Sequence, residues 1–195
     1  MSREYSLERD LAELEQMAER LEEYILSERL YLPLSAGYAR SSTLPQLSIG
    51  MLLLRRRRLK GLRASLNPAQ QKRLDAALQQ HDAVQREWTV HYEHKLKGEL
   101  PARLKQMRAF FRDCQDNPTG CASAYPPEAL RRAIVQEILL ALEEFGYERR
   151  DITPGVEQTD IALRRLVRSA GFIWSSLLKP LYPPSEFWWL FARPA

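Results

Sequence analysis

Imidazole and carboxylate groups on neighbouring helical turns can share a divalent cation. The stretch QREWTVHYEHK sets Glu87, His91 and His94 at i, i+4 and i+7, along the flank of one helix. The apolar stripe of that helix is Leu74, Leu78, Val84, Trp88, Tyr92 and Leu96, and the trio drifts away from it toward solvent. A metal held inside a bundle takes inward-facing ligands from several helices, and no other segment supplies a partner pair. Three solvated side chains are therefore expected, with no metal and no cofactor. His81 differs, because it falls within the stripe between Leu78 and Trp88. A lone imidazole on an apolar face is expected to be a hydrogen-bonded core group.

Ser176-Leu-Leu-Lys179 has the spacing of a serine nucleophile and a lysine base, but it sits at a leucine-rich helix end without companion motifs. The chain shows no glycine-rich phosphate loop, nucleophile elbow or Cys/His zinc spacing. No catalytic residue is assigned on these grounds.

The stretch LLLRRRRLKGLR, residues 52–63, poses an electrostatic question instead. At about 100° per residue, four successive arginines fan around the helix. Leu52, Leu59, Leu62 and Leu66 mark the inward row, and Arg55 lies in it. Arg55 is therefore expected to be partly buried and to need a carboxylate. Glu28, at a core position of the first helix's seven-residue repeat, is the predicted partner, with an acid nearer the middle of that helix as the next choice. Arg56, Arg57, Arg58, Lys60, Arg63, Lys72 and Arg73, with Arg40 from the preceding loop, form a candidate surface for an anionic partner. Two explanations of this charge compete. Residues 1–28 carry nine acids and three arginines, whereas residues 29–74 carry ten cations and no acid. An acidic helix lying against a basic one neutralises both. Otherwise the cations face nucleic acid or anionic lipid, although the aromatic side chains of single-strand binders are missing from residues 45–80.

Arg86-x4-His91 resembles the Arg-x(4–6)-His signature of the HEPN helical ribonuclease superfamily, in which the Arg and His of two protomers face each other and cut RNA. The resemblance covers two residues of one short segment. It implies Arg86 and His91 as the catalytic pair and the basic second helix as the RNA holder.

Helices must position all of these groups. Leu7, Leu11, Leu14, Ala18, Leu21, Ile25 and Glu28 trace a heptad behind Ser6, a fitting N-cap, so the first helix is predicted over Ser6–Tyr31. A second is predicted over Gln46–Leu66. A third runs from Asn67-Pro68 to about Lys97, and a fourth opens at Pro101 and reaches about Asp113. The loop DCQDNPTGCASAYPP precedes a strongly apolar fifth helix over Glu128–Phe145. A sixth follows over Thr159–Lys179. No strand is predicted. The product is an all-α antiparallel bundle of five to six helices, one domain over residues 1–195. It comprises an acidic first helix (1–31), a basic second helix (46–66) and an aromatic tail (180–195).

That tail holds Phe187, Trp188, Trp189 and Phe191 within five residues. Such density is expected to pack over one end of the bundle, failing that to form an interface, and last to insert into a membrane. Cys114 and Cys121 are expected to be reduced thiols, with a local disulfide as the sterically allowed alternative. The N-terminus is charged from residue 3 and no run is apolar enough to span a bilayer, so a cytoplasmic chain is expected. The sequence thus points to a non-enzymatic interaction or accessory protein acting as a homodimer or with a protein partner. Nucleic-acid binding through residues 40–73 is the alternative, and a HEPN-like ribonuclease or metal enzyme comes third.

Overall fold

The computed structural model describes residues 5–34 and 46–194; Arg40 lies outside them. The fold is mostly α-helical and divides into two compact units, Ser6–Glu99 and a second comprising Tyr5 and the chain from Leu100 onward.

The first unit contains α1 (Leu7–Glu19), α2 (Leu21–Leu26), α3 (Ile49–Gly61), α4 (Pro68–Glu87) and the start of α5 (Thr89–Asp116). Helix α1 packs against both α3 and α4. The heptad is realised: Leu11, Leu14, Ala18, Leu21 and Ile25 are all buried. The Ser6 hydroxyl accepts from the Arg9 amide as N-cap. The single helix predicted to Tyr31 is instead interrupted at Arg20 and ends at Leu26, where Ser27 adopts extended backbone. Buried Lys95 donates to the carbonyls of Ser27 and Arg29, both at 2.6 Å, satisfying acceptors beyond that end. Helix α3 has no acid in its own first turn. Fully buried Glu99 supplies one, accepting from the Ser48 hydroxyl at 2.7 Å and the Gly50 amide at 3.0 Å. Two residues of strand, β1 (Leu32–Pro33) and β2 (Gln46–Leu47), pair antiparallel ahead of α3.

The third predicted helix breaks earlier than expected. The Thr89 hydroxyl donates to the carbonyls of Gln85 and Arg86 at 2.9 Å each, closing α4 at Glu87. Helix α5 then continues through Gly98 and Pro101, where buried Leu96, Glu99 and Leu100 hold it by packing, so tertiary burial overrides local propensity.

In the second unit, α6 (Pro118–Glu144) begins one residue after α5 ends, so the predicted loop is largely helix. Pro118 sits at the helix start, where its missing N–H has no cost. The carbonyls that Pro126 and Pro127 deprive of donors belong to Ala122 and Ser123, both exposed residues, so the lost bonds fall on the solvent side of the helix. Cys114 and Cys121 are joined as a disulfide across the α5–α6 turn, which corrects the expectation of reduced thiols. Residues 132–139 of α6 are all buried, polar Arg132, Gln136 and Glu137 included.

The chain continues through α7 (Arg149–Ile152) and α8 (Pro154–Leu166). The sixth helix, predicted to Lys179, stops there: β3 (Val167–Ser169) pairs antiparallel with β4 (Ala192–Pro194). The tail therefore closes a ladder whose strands are far apart in sequence, so helical periodicity cannot detect it. Arg132 pins this region. Its Nε and Nη2 donate to the two oxygens of Asp160 at 2.7 and 2.9 Å, and its guanidinium lies 4.0 Å from the Trp189 ring centroid. The Tyr125 hydroxyl donates to the Trp189 carbonyl at 2.7 Å.

Candidate functional site

Five of the cations singled out in the sequence, Arg55, Arg56, Arg58, Arg63 and Arg73, face acids. Arg55 is 6% exposed. Its Nε donates to Glu13 Oε2 at 2.8 Å, its Nη2 to the same oxygen, and Asp10 stands 3.8 Å away. The predicted burial of Arg55 is present; its partner is not Glu28 but Glu13, an acid nearer the middle of the predicted first helix and so the next choice. Glu28 is exposed beyond the end of α2, because the break at Arg20 and the extended Ser27 take it off the heptad. Asp10, itself buried, also lies 3.6 Å from Arg58.

Arg73 of α4 donates to Glu8 at 2.7 Å and to both oxygens of Glu15 at 2.8 and 2.6 Å. These carboxylates hold its guanidinium above its ordinary pKa, and hydrogen bonds from Gln70 and Arg73 hold Glu8 below its own. Arg63 pairs with Asp75, Nη2 to Oδ2 at 2.8 Å. Arg56 lies 3.4 Å from Asp82. Lys60 and Lys72 are exposed and form no ion pair among the described residues.

Arg56 and Asp82 border an open cleft of about 710 Å³ whose lining includes Asp75, Leu78, Arg86 and Thr89. Beneath it His81 is fully buried, hydrogen-bonded through Nδ1 to Asp82 at 2.8 Å and through Nε2 to the Tyr92 hydroxyl at 2.9 Å. A carboxylate can only accept, so the network assigns the proton to Nδ1 and leaves Nε2 to accept from Tyr92. Burial is the main force lowering the His81 pKa; the hydrogen bond to Asp82 opposes it and nearby Arg56 adds to it. The order carboxylate–imidazole–hydroxyl resembles a proton relay, but Tyr92 is also fully buried, so no substrate reaches its oxygen. The trio acts as a core lock.

The break at Trp88 separates the other candidates. Arg86 lies on α4 and donates from Nε to the Asp82 carbonyl at 3.1 Å. His91 lies on α5, exposed, its ring edge-on to Trp88 at 5.6 Å. Glu87 ends α4 while His91 and His94 belong to α5. No group of three His, Cys, Asp or Glu able to hold a metal occurs among the described residues. Ser176 and Lys179 lie in a short 3-10 turn, both exposed.

The aromatic tail splits into two populations. Phe187 and Trp189 are buried, whereas Trp188 and Phe191 remain half-exposed. They belong to a continuous run of ring contacts that also includes Phe172, Trp174 and Tyr182, with centroid separations of 4.9 to 6.3 Å. Phe172 and Trp174 are half-exposed as well.

Beside this aromatic wall lies a group of cations not singled out in the sequence. Arg168 of β3 stands directly opposite Arg193 of β4. Opposed residues of an antiparallel ladder share a face, with Cβ atoms about 5 Å apart. Both are exposed, while Val167 and Ala192 point inward. Arg164 and Arg165 close the last turn of α8 just before β3, and the Arg164 guanidinium lies 3.8 Å over the Trp188 ring. Among the described residues, Arg165, Arg168 and Arg193 meet no carboxylate; Arg168 donates only to the carbonyls of Arg165 and Val167. Residues 161–195 carry five cations and one acid. That local excess of +4 equals the net charge of the whole chain, and it was the one available sequence signal. The arginine block at 55–58 obscures it.

Compared with known protein families, curated proteins and solved structures, the chain matches none.

Proposed function

We propose that this chain is a non-enzymatic helical interaction protein that meets an anionic partner on the outward face of the β3–β4 ladder. One observation carries the reading: Arg168 and Arg193 are held opposite each other with no acid between them among the described residues. Like charges directly opposed across a ladder are destabilising, and a bound anion reverses the sign of that interaction. The alternative surface, residues 40–73, is less suited to the task, since Arg55, Arg56, Arg58, Arg63 and Arg73 already face carboxylates.

Retention on a heparin column tests the proposal. The double variant Arg168→Glu/Arg193→Glu should elute at much lower salt than the parent, and Lys60→Glu/Lys72→Glu only slightly earlier. The reverse order would move the contact to the basic helices and revive nucleic-acid binding there. The proposal includes a cytoplasmic protein that dimerises or joins a protein partner. Light scattering of the purified chain reads the dimer, and thiol alkylation in intact cells shows whether the Cys114–Cys121 bridge is open in that compartment. No helix among the described residues is long and apolar enough to cross a membrane.

A further inference from the structure

We infer that the anionic partner of the β3–β4 face is a single-stranded nucleic acid, bound with its phosphates on Arg168 and Arg193 and a base against the aromatic edge beside them. This rests on the interaction reading above and deepens it. Polyanions differ in what accompanies their charge: a nucleic-acid strand alternates phosphates with flat π-faces, whereas polyphosphate and acidic peptides offer no bases. Binders of single strands combine cations that follow the backbone with aromatic rings on which bases stack.

Both parts are present here and are joined by backbone hydrogen bonds. The Ala170 amide donates to the Phe191 carbonyl at 2.8 Å and the Ile173 amide to the Leu190 carbonyl at 2.9 Å, which continues the β3–β4 pairing into the aromatic segments. Phe172 and Phe191 lie 5.1 Å apart, centroid to centroid, at the end of that continuation. The Arg164 guanidinium also lies 3.8 Å from the Trp188 ring centroid, within cation–π range. The inner rings, Phe187 and Trp189, are buried. Trp189 is further clamped by Arg132, so the outer rings are backed by a fixed layer. Guanidinium also matches phosphate in geometry, presenting paired donors in a plane. A bilayer surface fits less well. Its anionic heads would suit the arginines, but the aromatic edges are half covered rather than projecting for insertion.

The test uses the full chain and a fluorescein-labelled 12-nucleotide uridine strand, followed by anisotropy and by tryptophan emission. Inorganic polyphosphate and phosphatidylserine vesicles serve as comparison probes. The strand is expected to bind and to quench tryptophan emission. Arg168→Glu/Arg193→Glu, checked for an unchanged melting curve, should weaken binding at least tenfold. The milder Arg168→Gln/Arg193→Gln should reduce the log–log salt slope by about 1.4, at about 0.7 per phosphate contact on a single strand. Trp188→Ala should weaken strand binding roughly tenfold and remove most of the quenching, yet leave polyphosphate binding unchanged.

Absence of strand binding at low salt would overturn the inference, as would binding that ignores the arginine variants. If the arginine variants lose polyphosphate or vesicle binding while Trp188→Ala changes nothing, the anionic-partner reading stands and the nucleic-acid assignment falls. If no polyanion senses the ladder, both fall together.

Discussion

The molecule handles positive charge in two opposite ways. In the first unit, five arginines of the most densely cationic segment of the chain each face a carboxylate, while Lys60 and Lys72 form no ion pair among the described residues. Asp10 and Glu13 face Arg55 and Arg58, Glu8 and Glu15 face Arg73, Asp75 faces Arg63 and Asp82 faces Arg56. In the second unit, a shorter and less conspicuous set at Arg165, Arg168 and Arg193 has no carboxylate opposite among the described residues. Charge density along a sequence is therefore a poor guide to charge presented by a fold. What matters is whether the neighbouring element carries the opposite sign. The acid-rich α1 belongs to the architecture of α3 and α4, whereas the ladder has no such companion.

The sharpest way to break this contrast is to remove one member of the internal set. Arg55→Ala should leave Glu13 and Asp10 facing each other in a largely dry site, destabilising the fold by about 3–5 kcal/mol, read from a urea unfolding midpoint. Arg55→Met/Glu13→Leu should recover most of that loss, since replacing both charges by apolar groups is often close to neutral. A drop below about 1 kcal/mol for Arg55→Ala would mean that the pair contributes little.

Next in size is the bridge in the second unit. For a closed loop of this length, the chain-entropy treatment assigns Cys114–Cys121 about 2.5 kcal/mol. Cys114→Ser/Cys121→Ser should lower stability by about that much without altering heparin retention, since neither cysteine lies in the ladder.

Acidification separates the units further. Burial holds the His81 imidazole below its ordinary value of 6.5, so the folded state keeps it neutral while the unfolded chain takes up a proton. The stability this provides is complete above about pH 6.5 and is lost as pH falls below it, by at most about 1.4 kcal/mol per pH unit. Melting scans from pH 7 to 5 should show a steeper decline for the parent than for His81→Gln. Carboxylates held low, such as Glu8 and Asp75, lose their contribution only below their ordinary values near 4, outside that window.

The smallest effect should come from the ladder itself. Arg168→Ala should change stability by less than about 0.5 kcal/mol, with the midpoint shifting upward, because a like-charge contact is relieved. A clear loss of stability would mean that Arg168 has an internal role and that the contrast between the units is false.

How far these features can be read in the sequence follows from the range of the interactions involved. The burial of Arg55 was legible because it depends on a local leucine row. Its partner was legible only as a second choice, an acid nearer the middle of the first helix, since the match between α1 and α3 depends on the interruption at Arg20 and on the connection between them. His81 was legible as a core histidine for the same local reason, though not its bond to Tyr92, which lies beyond the break at Trp88. The helices of α1, α4 and α6 follow their apolar periodicity. The segment after Leu166 did not behave as helix because it pairs with a tail well beyond helical spacing: Ile173 bonds through its amide to Leu190 and Trp174 packs on Tyr182. The Arg168–Arg193 face exists only through that pairing, so no pattern confined to either segment could announce it.

The two-stranded ladder has a further consequence for how copies of the chain behave together. A bare strand edge invites an identical edge to join it, and charged side chains are a common guard against such growth. With guanidinium groups on its outward face, two ladders approaching one another bring four positive charges together and are repelled. A bound polyanion cancels that repulsion at the place where it was generated. Crowding along a strand, and any cooperative assembly there, would then be switched on by the ligand and would disappear when the ligand is digested away.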